Sequence, residues 1–286
     1  MVLEILQAGF MQRALVAGIA VALICSVVGL FLVLRRHSLF GDALSHMAFG
    51  GIAVGMFTQV YPLWTALIVS ILGALGMTKL RQSTKISPDA SVAVLLSSGL
   101  ALGIVLIGLS GGFSVDLFSF LFGSILLVSF DDTAMILALA AGILAVMALL
   151  YRKLMYIAFN EEQAKVSGLA VNMLNYAFIV VASVTVIASI RLVGILLISS
   201  LIVIPNIAAM MLGKSFKKTI IISAAISVAS VITGIFASYF ANLPPGGTIV
   251  LTTIFMLLGI MGAKYAARKA KTVQTAVAEN TSEPGR

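Results

Sequence analysis

Apolar segments close to 20 residues long recur along the whole chain, with short polar stretches between them. Each segment is long enough, or nearly so, to cross a hydrocarbon core of roughly 30 Å as a helix. The alternation of apolar and polar positions that is typical of membrane β-strands does not occur. The pattern predicts an all-α, polytopic helical membrane protein with eight or nine transmembrane helices. The predicted spans are 9–34, 40–58, 61–78, 90–110, 133–151, 172–190, 192–212, 219–240 and 248–263.

Composition supports this class. Of the 286 residues, 61% are hydrophobic and only 10% are charged, whereas a soluble domain carries roughly 25% charged residues. So few charges cannot cover a water-exposed surface, which excludes a soluble globular protein. The single cysteine, Cys25, excludes an intrachain disulfide and cysteine-based zinc motifs. The first 12 residues lack a basic segment, so we interpret the first apolar run as a retained helix and not a signal peptide.

Basic residues predict the orientation. All 18 lysines and arginines except Arg13 and Arg191 fall on alternate loops or the C-terminal tail. Such asymmetry is the positive-inside pattern, which places these loops and the C-terminus in the cytoplasm. The net charge of +8 is therefore interpreted as a topology signal, and no nucleic-acid partner is expected. The sorted residues are Arg35, Arg36, Lys79, Arg81, Lys85, Arg152, Lys153, Lys165, Lys214, Lys217, Lys218, Lys264, Arg268, Lys269, Lys271 and Arg286.

Segment 115–130 does not fit this alternation. It is apolar but short, and a full crossing would invert the side of every later loop. We expect a short or re-entrant helix on the outer side, buried against other helices; an ordinary packing helix is the alternative. The polar residues 272–286 are expected to form a disordered cytoplasmic tail, which leaves 1–271 as the membrane domain.

Asp42 is the only carboxylate inside an apolar segment beside another ionisable group. His46 follows four residues later, so both side chains share one helical face. A carboxylate and an imidazole are suitable ligands for zinc or manganese, and a twofold homodimer would double them to four. The alternative is a structural Asp–His hydrogen bond near the membrane interface. Downstream, Gly51 and Gly55 form a G-x-x-x-G pair, which we interpret as helix packing.

The largest predicted cytoplasmic loop contains a short polar helix within IAFNEEQAKVSGLA, residues 157–170. Glu161, Glu162 and Lys165 are expected to be solvated, whereas Ala164 and Gly168 are small and four residues apart. Small residues would let this helix seat in a groove on a cytoplasmic partner. The alternative is a solvated connector.

Together these stretches resemble the permease subunits of bacterial zinc and manganese ABC importers, the ABC-3 family. The matching pieces are GDALSH at 41–46, SPDA at 87–90, LFGSIL at 121–126, NEEQAKVSG at 160–168, VGILLISSLIVIP at 193–205 and PPGG at 244–247. They occur in family order across nearly the whole membrane part. LFGSIL and VGILLISSLIVIP are closer to the zinc-type permeases.

The resemblance implies a type II ABC-importer-like permease that moves Zn²⁺, or alternatively Mn²⁺, across the bacterial cell membrane. It implies that Asp42 and His46 line the metal path. It also implies that a coupling helix at about 158–168, with Asn160, Glu161, Glu162, Ala164 and Gly168, docks on a cytoplasmic ATPase. The expected assembly is a homodimer with that ATPase and an extracytoplasmic metal-binding protein. The chain departs from the usual family pattern at two positions. Asn160 stands where an aspartate is common. Asn206 stands where alanine is usual, which we interpret as a matter of local packing.

Energy for transport is expected from another chain. No Walker A motif occurs, so this chain is not expected to hydrolyse ATP, and no permanently bound cofactor or enzymatic activity is expected. A gradient-driven carrier usually has several ionisable residues at mid-membrane depth, and this sequence offers one pair. The alternative function is a stand-alone divalent-cation channel or gradient-driven metal carrier.

Overall fold

The computed structural model describes residues 8–84, 87–111, 115–124, 129–195 and 198–282. These residues form eleven helices joined by short turns. The helices are α1 Gly9–Leu34, α2 Phe40–Thr58, α3 Pro62–Thr84, α4 Pro88–Leu109, α5 Val115–Phe122, α6 Phe130–Phe159, α7 Glu161–Val166, α8 Val171–Val193, α9 Ile198–Met211, α10 Phe216–Ala241 and α11 Pro245–Ser282. Every predicted span coincides with a helix, so the all-α membrane class is confirmed.

Seven of these helices are long and apolar enough to cross a membrane: α1, α3, α4, α6, α8, α10 and α11. The remaining two predicted spans are α2 and α9. Helix α2 has 19 residues but carries polar and glycine residues, and neighbouring helices bury most of it. Helix α9 has only 14 residues and is about 21 Å long, which is shorter than the hydrocarbon core. The predicted span 192–212 was therefore too long.

Gly194 explains why that span is shorter. Helix α8 continues to Val193, and Gly194 then adopts φ +86°, which ends the helix. The following turn packs against α5, where the Ile195 amide donates to the Phe120 carbonyl at 2.9 Å. A side chain at Gly123 or Gly194 would collide with the backbone of the other segment. Two stretches of non-helical backbone are thus buried in protein, as membrane depth requires.

Helix α5 has eight residues and spans about 12 Å, so it does not cross the membrane. It packs at the end of α8 that lies away from the basic loops. The expectation of a short helix on that side is confirmed for 115–122, whereas residues 125–128 lie outside the described part of the chain.

The basic loops meet at one end of the molecule. Arg35, after α1, donates to Asn175 at the start of α8 at 2.9 Å. Phe159 at the end of α6 stacks edge-on against Phe216 at the start of α10, and Lys264 of α11 donates to the Met211 carbonyl. We call this the basic end.

The opposite end brings together the alternate loops. Tyr61, before α3, donates to Asp132 in the first turn of α6 at 3.4 Å. Phe10 at the start of α1 stacks on Tyr239 near the end of α10. The sorting of charge in the sequence therefore corresponds to a sorting in space.

Helix α1 is the centre of the bundle, and 72% of its membrane-spanning window is buried. Gly18 lets α10 approach, because a side chain there would collide with Val231, and Gly29 does the same for α9. On its other side, the Cys25 thiol lies 3.4 Å from the Ser189 hydroxyl of α8. Glycines and small polar residues therefore set the close spacing of the central helices.

Helix α11 extends to Ser282, into the tail that composition predicts to be disordered. Alanine and lysine are frequent between 263 and 279, and both have high helix propensity. Residues 283–286 lie outside the described ranges.

Glycines also clamp α2 between α3 and α4. A side chain at Gly99 of α4 would stand 2.6 Å from the His46 backbone, and one at Gly51 would stand 2.5 Å from Ala66 of α3. The packing interpretation of Gly51 and Gly55 is thus confirmed, since a side chain at Gly55 would meet Pro62 and Thr65. The close contact fixes the height and rotation of the helix that carries Asp42 and His46.

We expect Gly99→Ala to lower the thermal midpoint of the detergent-purified chain, because one methyl group would force α4 away from α2. Overpacking of this kind costs about 1–3 kcal/mol. Gly142→Ala in α6 is the matched control, because nothing lies within 4 Å of the added carbon. An equal midpoint for both variants would show that the α2–α4 contact is not tight.

Candidate metal site

Asp42 and His46 lie in the first two turns of α2 and point from one face of that helix. Asp42 falls in the first turn, where the positive end of the helix dipole stabilises a carboxylate. Their backbone is fixed by the glycine contacts with α3 and α4. The predicted juxtaposition of the two side chains is thus present.

The distance between them is informative. His46 Nε2 stands 3.8 Å from Asp42 Oδ1, which exceeds hydrogen-bond length. The pair therefore does not make the direct hydrogen bond expected of a purely structural Asp–His pair. Two ligand atoms that each lie about 2.1 Å from one ion can be at most ~4.2 Å apart, so a single cation fits between these atoms.

Both side chains remain accessible. The His46 side chain is 16% exposed and the Asp42 side chain 30% exposed. Among the described residues, no group of three or more histidine, cysteine, aspartate or glutamate side chains is arranged to hold a metal ion. A four-coordinate ion at this pair therefore needs donors beyond these two side chains.

Sequence reasoning missed Ser199. Its hydroxyl donates to Asp42 Oδ1 at 3.3 Å, so the short helix α9 reaches the site. The sequence signal for it is a serine pair inside the apolar run ILLISSLIVIP, which is also part of a family motif. The hydrogen bond orients the carboxylate from a helix other than its own.

Asn206 holds α9 in place. Its side-chain amide nitrogen, Nδ2, donates to the Ile202 carbonyl at 2.7 Å, and its side-chain oxygen accepts from the Ser223 hydroxyl of α10 at 2.7 Å. Asn206 is fully buried, and these two bonds satisfy it. The departure from alanine at this position is therefore a matter of local packing, as the sequence indicated.

The polar segment after α6 is a defined helix, α7, at the basic end. Asn160 caps it, and its side-chain oxygen accepts from the Gln163 amide at 2.9 Å. Asparagine caps as well as aspartate does, so the departure from aspartate keeps the helix start and removes only the charge. Glu161 and Lys165 form an exposed ion pair at 2.9 Å, which contributes little stability.

Ala164 and Gly168 were both expected to offer a small surface to a partner, but their surroundings differ. Ala164 is fully buried against Ile157, Val171 and Leu174 of its own chain. Gly168 is exposed with open space around it, and its φ of +79° is what requires glycine. The Gly168 amide donates to the Lys165 carbonyl, and the Leu169 amide donates to the Ala164 carbonyl. These two hydrogen bonds form a Schellman motif.

The outward surface of α7 is mixed in character. Glu161, Glu162 and Lys165 are exposed, and Val166 is 88% exposed although it is apolar. Phe159 and Met173 on either side are 68% and 73% exposed. Exposed apolar side chains therefore lie within this polar loop and on both sides of it.

Comparison with known proteins gives a consistent result. Residues 7–264 match the ABC 3 transport family. The chain is 35% identical to a probable metal transport system membrane protein of Treponema pallidum, over 92% of this chain and 98% of that one. It is 30% identical to the manganese transport system membrane protein MntC of Halalkalibacterium halodurans, over 94% and 95%.

A solved structure shares the fold. The chain superposes on PsaBC from Streptococcus pneumoniae with a TM-score of 0.82 and 31% identity, covering 91% of this chain and 95% of that chain. The family match, the two relatives and this structure all extend over nearly the whole chain. The chain therefore belongs to the ABC 3 transport family and is a membrane permease of an ATP-binding-cassette importer for metal ions.

Proposed function

We propose that the chain forms a homodimer that passes divalent transition-metal ions along a path lined by Asp42 and His46. The observation that carries the proposal is the 3.8 Å separation of Nε2 and Oδ1, which suits one shared cation. A second copy with the same face at the twofold axis would supply another carboxylate and another imidazole, which completes four ligands.

The ion is zinc or manganese. The motif comparison favours zinc, whereas relatives named for manganese transport favour manganese. Carboxylate oxygen and imidazole nitrogen bind both ions, and zinc more strongly at a given site. The transported ion is therefore a divalent transition-metal ion, and uptake measured separately with zinc and with manganese distinguishes the two.

The chain is oriented with its basic end in the cytoplasm. Support comes from the clustering of basic loops at one end of the fold and from the positive-inside rule. Helix α7 lies at this end. Its exposed Val166 and two glutamates form the surface for a separate cytoplasmic ATPase, and an extracytoplasmic metal-binding protein delivers the ion to the opposite end.

Liposome reconstitution tests the proposal. Zn²⁺ or Mn²⁺ should enter only when the ATPase and ATP are present, because the chain has no nucleotide motif of its own. Parallel uptake measurements with each ion at equal free concentration give the preference. Uptake by the permease alone would instead support a channel or a gradient-driven carrier.

Asp42→Asn should reduce uptake at least tenfold while the complex still assembles. The substitution keeps the shape and can still accept from Ser199, but it removes the charge that balances a divalent cation. Asp89→Asn, an exposed carboxylate in the first turn of α4, is the matched control and should transport normally. Wild-type uptake by an assembled Asp42→Asn complex would contradict the metal path.

Gly168→Leu should reduce ATP-driven uptake and ATPase co-purification, because leucine rarely adopts the left-handed conformation that ends α7. Gly168→Asn is the informative partner variant, since asparagine tolerates that conformation. It should retain most of the association. Equal loss in both variants would show that bulk, and not backbone conformation, matters at this position.

A further inference from the structure

A cavity of about 430 Å³ opens at the basic end. It lies between the C-terminal ends of α1 and α3, the N-terminal end of α4, and helices α6 to α8. Its polar lining includes Arg35, Arg36, His37, Lys165, Glu161 and Asn175. The lining therefore contains three cationic side chains, Arg35, Arg36 and Lys165, and one carboxylate, so its net charge is positive. The cavity is separate from the Asp42–His46 pair, neither of which lines it.

Arg35 supplies hydrogen-bond donors to this cavity. Its Nη1 donates to Asn175 and its guanidinium stacks on the Phe178 ring at 4.9 Å. The Nε and Nη2 atoms are buried and have no hydrogen-bond partner among the described residues. Burial lowers the pKa of Arg35 and nearby Glu161 opposes this, yet a guanidinium stays charged in proteins. A buried charge with unpaired donors favours an anionic ligand.

Arg36 is the second independent feature. It occupies the left-handed position after α1 with φ +58°, where the Arg36 amide donates to Val33 and the His37 amide to Leu32. Glycine is the usual residue at this point of such a motif. A non-glycine residue there carries backbone strain, and such strain is frequent at ligand sites. Arg36 also lines the cavity, which adds a second guanidinium to that of Arg35.

Most of the remaining lining is apolar. Leu32, Phe40, Met77, Val92 and Ile179 contribute to it, together with the polar residues Thr78, Ser91 and Asn172. The volume lies in the range of sites for organic ligands and exceeds what a bare phosphate ion needs. The ligand that fits has a phosphate group for the arginine forks and an apolar portion for the remaining wall.

We propose that this cavity is a binding site for a phosphate-bearing amphiphile, with the phosphate held between Arg35 and Arg36. Its place in the fold makes membrane phospholipid the natural source, because Met77 and Val92 belong to the ends of membrane-spanning helices. Leu80 and Val94 on the same two helices are 44% and 51% exposed. Basic pockets between helices at the cytoplasmic side of a membrane bind anionic headgroups.

Native mass spectrometry of the full chain released from detergent micelles tests the site. The probes are phosphatidylglycerol and, as a soluble phosphate without acyl chains, glycerol 3-phosphate. We expect phosphatidylglycerol to bind wild type at least tenfold more tightly than it binds the Arg35→Gln/Arg36→Gly double variant. Comparable binding of glycerol 3-phosphate would keep the phosphate site and assign it to a soluble ligand.

The design separates binding from folding. Arg36→Gly alone relieves the strained turn, so its thermal midpoint should equal or exceed that of wild type while phosphatidylglycerol binding weakens. Arg152→Gln/Lys153→Gln removes two exposed charges from α6 at the same end and should bind as wild type does. Absence of binding to wild type, or equal binding to all variants, would overturn the proposal. Neither readout requires transport, so the result is independent of the metal path.

Discussion

The cost of leaving a polar group unpaired in hydrocarbon governs this fold. Helix α2 carries an aspartate, a histidine and several glycines, and it is stable at membrane depth because α3 and α4 enclose it. Gly51 and Gly99 allow the backbones to touch, so α3 and α4 fix the position of α2 while its two ionisable side chains remain accessible. The same rule applies at the end of α8, where α5 accepts a hydrogen bond from the Ile195 amide. Close packing of glycine is therefore what makes a polar site possible in this bundle.

Much of the architecture follows from the sequence because hydropathy and charge act locally. The nine apolar segments coincide with helices, and the alternation of basic loops corresponds to the two ends of the molecule. The length of the seventh segment was not predictable in this way. Its apolar run continues across Gly194, and only the left-handed φ and the contact with Phe120 show that the helix ends there. Apolar content cannot distinguish a spanning helix from a buried turn.

Local sequence patterns likewise predict only part of the candidate site. Spacing by four placed Asp42 and His46 on one face, as the structure has them. Ser199 lies 157 residues from Asp42 in the chain, and no local pattern connects them. Ala164 and Gly168 are both small, but Ala164 is buried in its own chain and Gly168 has the positive φ that ends α7. Residue size alone did not distinguish packing, turn geometry and docking.

The hydroxyl of Ser199 has a consequence for how the importer works under the proposed function. The oxygen that it contacts, Asp42 Oδ1, is the one nearest His46 and so the one that would face a cation. A shift of α9 would change the electron density that this oxygen presents, and an ion at this oxygen would change the energy of the α9 contact by the same amount. Ion affinity and the position of α9 are then two measurements of one coupling free energy. The network of Asn206 and Ser223 would set how far α9 can move, and thereby the range over which that affinity varies.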